Sequence, residues 1–160
     1  MLWIKNILYT LLVPCTVAIY LPWLFLPDQP ASSGIWLILA IGLFFLGTTV
    51  YAWCLWDFAT VGEGTPSPFD APTHLVVRGL YHYTRNPMYG SVLLLILGWI
   101  ILFPSIPLLL YGLSVGFSCH LLVTLYEEPD LQKVFPSYGD YCKKVGRWIP
   151  RIRMRKTPKS

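Results

Sequence analysis

Four long apolar runs dominate the chain, and its polar residues lie mainly between and after these runs. The runs cover residues 7–26, 35–56, 88–103 and 107–126, and none of them contains Asp, Glu, Lys or Arg. A helix needs about 20 residues, at 1.5 Å rise each, to cross the roughly 30 Å hydrocarbon core of a bilayer. Three runs reach that length and the third is shorter. Because a backbone in lipid must satisfy its own hydrogen bonds, we predict an all-α integral membrane protein with about four transmembrane helices.

Composition and charge support a multi-pass membrane protein with a single domain. Charged residues make up only 12% of the chain, whereas soluble domains carry about a quarter. Four spans put the N-terminus, the loop 57–87 and the tail 127–160 on one side, and all twelve Lys and Arg residues fall there. The positive-inside rule then makes both termini cytosolic, in a plasma (inner) membrane or the endoplasmic reticulum. A secretory signal is the alternative for the first run, which is longer than the usual apolar core of about 7–15 residues.

The tail is predicted to form short interfacial helices. Pro129 suits the first turn of one helix, and Ser137 with Asp140 resembles the start of the next. Residues 143–160 carry eight basic side chains and no acid. Attraction to anionic membrane lipids, at about 1 kcal/mol per basic residue, explains this better than nucleic-acid binding, which we do not expect. The oligomeric state is left open.

The start of the third run is a candidate anion site. Asn86 followed by Pro87 is typical of a helix N-terminus, with a capping side chain and a proline at the first helical position. The free N–H groups and positive dipole end of that helix, beside Arg85, attract anions. The alternative is a simple helix cap with Arg85 paired to a lipid phosphate.

The end of the fourth run carries two adjacent carboxylates, Glu127 and Glu128. Acidic residues are unfavourable at a helix C-terminus, which indicates a functional role, although a solvated helix end is the alternative. The last two runs form a hairpin, so both sites are predicted to lie on the same membrane face. A cleft with aromatic walls from Tyr81, Tyr89 and Tyr126 would suit a zwitterionic cofactor.

At these residues the sequence resembles the isoprenylcysteine carboxyl methyltransferase family. The resemblance covers about residues 60–150 and includes Leu75-Val76-x-x-Gly79-x-Tyr81-x-x-x-Arg85-Asn86-Pro87-x-Tyr89, Glu127-Glu128, Tyr138-x-x-Tyr141 and Ile149-Pro150. Asn-Pro-Met-Tyr and Tyr-Glu-Glu-Pro are also similar to the related phosphatidylethanolamine N-methyltransferases.

The resemblance implies an S-adenosylmethionine-dependent methyltransferase that acts on a lipid or lipid-modified small molecule, either a prenylcysteine-like carboxylate or a lipid amine. No metal is implied. The expected catalytic residues are Glu128, Arg85 and His120, although His120 is equally well explained as a hydrogen-bonded packing residue. Carried onto this chain, the expected cofactor-binding residues are Thr73, His74, Leu75, Val76, Tyr81, Asn86, Pro87, Met88, Tyr89 and Glu127.

Two departures from the family pattern bear on the acceptor. Asn86 stands where many members have His, and Val123 stands where prenylcysteine enzymes carry a substrate-contacting Arg. Two other functions remain open at this stage. One is an NADPH-dependent membrane reductase of the sterol-reductase type, and the other is a non-enzymatic membrane protein that retains the helical hairpin.

Overall fold

The computed structural model describes residues 2–62 and 74–149, and these ranges are helical apart from turns and one isolated bridge. Within them, three helices are long and apolar enough to cross a membrane, at Ile7–Leu24, Ile35–Gly62 and Ile106–Val134. A fourth apolar helix, Pro87–Leu102, is shorter, as its sequence predicts. The all-α membrane fold is therefore confirmed.

The first span has an irregular backbone. It consists of α1 (Leu2–Leu12), a π-helical segment at Thr16–Tyr20 and α2 (Leu21–Leu24). Pro14 cannot donate to the preceding turn, which accounts for the interruption between α1 and the π segment. Two side chains from later helices donate hydrogen bonds to backbone carbonyls of this irregular stretch. Tyr111 Oη donates to Val17 O at 2.6 Å, and Trp99 Nε1 donates to Ala18 O at 3.0 Å.

The second span and the short apolar helix form the most extensive helix pair. α3 (Ile35–Asp57) begins after Gly34 and continues as a π segment at Phe58–Gly62, and it packs along α4 (Pro87–Leu102). The two backbones approach closely at Gly47, where a Cβ atom would lie 3.0 Å from Ser91 O. Small residues allow such approach, and membrane helices associate through close packing of this kind.

The last span runs further than its sequence predicts. α5 (Ile106–Leu122) starts at Ser105, whose side chain accepts a hydrogen bond from Leu108 N at 3.4 Å. A π segment at Val123–Glu127 then leads directly into α6 (Glu128–Val134). The short helix predicted after residue 126 is present as α6, although it follows α5 and the π segment without a break. Pro129 lies in the first turn of α6, where its missing N–H is tolerated.

The tail folds back onto the start of α4. α7 (Tyr138–Lys144) is followed by residues 145–148, a series of bends with one bridge residue at Gly146, which we call the strap. Arg85 N donates to Gly146 O at 2.9 Å, beside a parallel bridge between Thr84 and Gly146. Ser137 precedes α7, but its side chain makes no capping hydrogen bond, so that part of the prediction is wrong.

Candidate active site

A cavity of about 470 Å³ lies beside the start of α4 and the π segment that follows α5. Ligand sites in proteins commonly measure about 300–1,000 Å³ and combine apolar walls with a few polar groups. The start of α4 contributes Asn86, Met88 and Tyr89, and the π segment after α5 contributes Glu127. The remaining walls come from the first span, α3, the segment before α4, α5, α6 and α7.

Tyr89 and Glu127 join the two helix ends directly. The Tyr89 hydroxyl donates a hydrogen bond to Glu127 Oε1. The hairpin formed by α4 and α5 therefore brings Asn86 and Glu127 to the same cavity, as the sequence predicts. Glu127 is half-buried and has a cavity wall rather than bulk water around its carboxylate.

Glu128 is buried between two arginines. Arg85 Nη1 lies 2.9 Å from Glu128 Oε1, and Arg147 donates to both Glu128 oxygens, at 2.7 and 2.8 Å. Hydrogen bonding to Glu128 raises the pKa of Arg147. Arg85 Nη1 also lies 2.8 Å from Cys142 Sγ. The catalytic role of Glu128 and Arg85 stays a prediction.

Asn86 stands at the N-terminus of α4, but its side chain does not cap the helix. Its Nδ2 donates instead to Arg147 O at 3.1 Å, and Thr84 Oγ1 donates to the same carbonyl at 3.1 Å. The capping prediction for Asn86 is therefore wrong. The hydrogen bond from Asn86 to the strap takes the place of a capping bond. The strap and the ion pairs of Glu128 together hold the loop that carries Arg85.

Tyr81, Tyr138 and Tyr141 form a tyrosine cluster in the cavity lining. Tyr141 Oη donates to Tyr81 O at 2.6 Å, which ties α7 to the 3₁₀ turn Gly79–His82. Burial raises the pKa of Tyr81, Tyr138 and Tyr141 well above the usual phenol range. These hydroxyls therefore stay protonated and remain hydrogen-bond donors at neutral pH. The Tyr81 ring also packs edge-on against Phe58, with ring centroids 5.6 Å apart.

Most of the predicted site residues meet at this cavity. Its lining includes Leu75, Val76, Tyr81, Arg85, Asn86, Met88, Tyr89, Glu127 and Glu128. His74 is exposed and Pro87 is buried, and neither borders the cavity. Thr73 lies outside the described residues. The cofactor roles assigned to all of these residues stay predictions.

Two predicted side chains lie elsewhere. Tyr126 is 65% exposed and forms no part of the cavity wall, so the prediction that it walls the cleft is wrong. His120 is exposed on the last turn of α5, outside the cavity lining, and its Nδ1 lies 3.2 Å from Trp148 Nε1. This hydrogen bond matches the alternative of a packing histidine, and the catalytic role of His120 stays a prediction.

Sequence reasoning missed several site residues. Arg147 belongs to the basic tail, and its charge pattern gave no sign that it pairs with a carboxylate 19 residues earlier. The first span, α3 and α5 add further polar groups to the lining. No local motif marks them, because only the packing of the helices decides which face of each span borders the cavity. These residues are Tyr9, Tyr51, Tyr111, Ser114 and Ser118.

The chemistry of the lining fits a zwitterionic cofactor with a cationic centre. Glu127 offers a carboxylate to a cation, and aromatic rings attract cations through their faces. Arg85 borders the cavity, and its guanidinium supplies a positive charge close to the start of α4.

Comparison with known proteins gives one positive result. A family model described as phospholipid methyltransferase matches residues 35–138, from the start of α3 to the start of α7. Neither the curated proteins nor the solved structures contain a significant match. The matched segment covers well over half of the chain and includes both helix ends that form the cavity. The chain belongs to the phospholipid methyltransferase family, whose members are lipid methyltransferases of the membrane.

Proposed function

We propose that this protein transfers a methyl group from S-adenosylmethionine to a lipid or lipid-modified small molecule at the cytosolic membrane face. The observation that carries this proposal is the meeting of Tyr89 and Glu127 in one cavity, inside the segment that matches the family. In this proposal the four helical runs all span the bilayer, and both termini are cytosolic.

S-adenosylmethionine supplies a methyl group that is already activated on a sulfonium, so the protein mainly has to bind, orient and exclude water. Glu127 would neutralise a cationic part of the cofactor, held in place by Tyr89. Arg85 and the start of α4 would receive its carboxylate. The cofactor would also contact Leu75, Val76 and Tyr81, which lie in and before the 3₁₀ turn Gly79–His82.

The lipid acceptor would reach the same cavity from the bilayer. Val17, Val115 and Leu122 give the membrane-facing part of the lining an apolar surface that suits an acyl or prenyl chain. The acceptor head group would then lie near Glu127, between the apolar part and the interfacial tyrosines. Glu128 would act as a positioning residue that holds Arg85 and the strap.

The direct test uses purified protein with radiolabelled S-adenosylmethionine and a total polar lipid extract. We expect label to appear in a lipid product, and a Glu127→Ala variant to lose this transfer. The exposed acid Asp130, paired with Lys133, gives the matched control Asp130→Ala, which should keep it. Saturable NADPH binding without S-adenosylmethionine binding would instead support a reductase. Binding of neither nucleotide would support a non-enzymatic membrane protein.

A further inference from the structure

The first span supplies a wall of the cavity from outside the matched family segment, which starts at residue 35. Tyr9, Val13, Pro14 and Val17 all border the cavity. Later helices hold this wall in place through Tyr111 and Trp99, whose side chains donate to carbonyls of the π segment. The site of this chain is therefore completed by residues that the family match does not describe.

Tyr9 is positioned near the polar centre of the cavity. The residue after it, Thr10, shares a 2.9 Å hydrogen bond with the Tyr51 hydroxyl, which ties this turn of α1 to α3. Tyr9 of α1, Tyr51 of α3 and Tyr89 of α4 border the same cavity as Glu127, and Tyr89 donates a hydrogen bond to that carboxylate.

The cavity lining comes from two parts of the fold. Val76, Tyr81 and Tyr141 belong to the segment before α4 and to α7, where several expected cofactor contacts are gathered. Val17, Tyr111 and other residues belong to the apolar first span and to α5, which lie in the bilayer in the proposed function. Tyr9 belongs to the same wall as Val13 and Val17. It lies about one helical turn before Val13 and two before Val17, nearer the end of the span that is cytosolic in the proposed function. It therefore lies where an acceptor coming from the bilayer would present its head group to Glu127.

We propose that Tyr9 contacts the head group of the methyl acceptor and contributes to the choice of acceptor, an inference that rests on the proposed function. Its ring packs with the apolar wall, and its hydroxyl can donate or accept one hydrogen bond. In this role Tyr9 binds the acceptor and leaves the cofactor contacts unchanged. The first span thereby contributes to specificity, and the matched segment supplies the methyl donor site.

The test compares Tyr9→Phe with Tyr20→Phe, since Tyr20 is on the same span but 57% exposed and outside the cavity. The full-length protein is assayed with radiolabelled S-adenosylmethionine in mixed micelles that contain increasing amounts of polar lipid extract. For Tyr9→Phe we expect the apparent KM for lipid to rise about tenfold, the effect of one lost hydrogen bond. The Kd for S-adenosylmethionine should stay within about twofold of wild type. Tyr20→Phe should leave both quantities unchanged.

The outcomes separate this inference from the proposed function. If wild-type protein neither binds S-adenosylmethionine nor methylates lipid, the proposed function fails. If wild type is active but Tyr9→Phe keeps the wild-type KM for lipid, only the role of Tyr9 is refuted. A weaker Kd for S-adenosylmethionine with unchanged KM for lipid would also refute it, because Tyr9 would then belong to the cofactor site.

Discussion

The Arg147 guanidinium holds both oxygens of the Glu128 carboxylate, with Nε 2.7 Å from Oε1 and Nη2 2.8 Å from Oε2. Such a two-point contact is the strongest geometry available to an arginine and a carboxylate. It joins the strap to the start of α6, while Arg85 joins the same carboxylate to the start of α4. Three chain segments that surround the cavity therefore depend on one buried acid.

Arg147→Ala is expected to lower stability and loosen the cavity, because it leaves Glu128 with one partner fewer. Breaking a fully buried pair costs about 3–5 kcal/mol, but the Arg147 side chain is 30% exposed, so we expect about 2 kcal/mol. This corresponds to a fall of about 4–8 °C in the apparent Tm in detergent. Thermal denaturation followed by circular dichroism measures it.

The control for that variant is Lys143→Ala. Lys143 and Asp140 form an exposed ion pair within α7, the helix that precedes the strap. We expect its Tm to stay near wild type. The double variant Arg147→Ala/Glu128→Gln should lose less Tm than the sum of the two single variants, because either substitution alone already removes the ion pair between these two residues. Additive losses in the double variant would show that the two residues do not act as a pair.

Gly79→Ala is expected to destabilise the turn that carries Tyr81. Gly79 has φ +60°, and a Cβ atom there would lie 2.2 Å from Asp57 Oδ2. The left-handed backbone alone costs about 1–2 kcal/mol for alanine, and the clash adds to it. The matched control is Gly139→Ala on α7, where a Cβ atom meets nothing within 4 Å. Equal Tm values for the two variants would contradict this account of the turn.

Gly47→Ala is expected to force α3 away from α4. Its Cβ atom would lie 2.9 Å from the Leu95 side chain and 3.0 Å from Ser91 O, and overpacking of this kind costs about 1–3 kcal/mol. Gly42→Ala on the same helix is the control, since a Cβ atom there meets nothing within 4 Å. Tm measurements on both variants test the close approach. A neutral Gly47→Ala would mean that the two helices are further apart than described.

Tyr141→Phe is expected to leave the Tyr81 carbonyl without its donor, at a cost of about 1–3 kcal/mol. Burial raises the pKa of Tyr141, so its contribution to stability is complete below the unfolded-state pKa of about 10 and declines as the pH rises further. The Tm difference between wild type and Tyr141→Phe should therefore be constant from pH 7 to 9 and shrink above about pH 10. A difference that grows with pH would contradict it.

The sequence was sufficient to predict where the two ends of the α4–α5 hairpin meet. Four apolar runs with a short turn between the last two leave little choice of topology, so Asn86 and Glu127 had to share a face. The fit of Tyr89 against Glu127 follows from the same hairpin. These features depend on local pattern and on the bilayer, and both can be assessed from the sequence.

The contacts that cross between distant segments could not be predicted in this way. Arg147 resembles any other basic residue of the tail until the strap folds against the start of α4. Tyr9 resembles any interfacial tyrosine until the first span packs beside the cavity. The continuation of the fourth span through Glu127 was also missed, because the π segment Val123–Glu127 leads directly into α6 at the point where a regular helix was expected to end.

The most direct measurement is equilibrium binding of radiolabelled S-adenosylmethionine to the purified full-length protein and to Glu127→Ala and Glu127→Gln. We predict saturable binding by wild type, at least a tenfold weaker Kd for Glu127→Gln, and no measurable binding for Glu127→Ala, with Asp130→Ala as the unchanged control. Wild-type affinity in both Glu127 variants would contradict the central claim that the start of α4 and the π segment after α5 bind the methyl donor together.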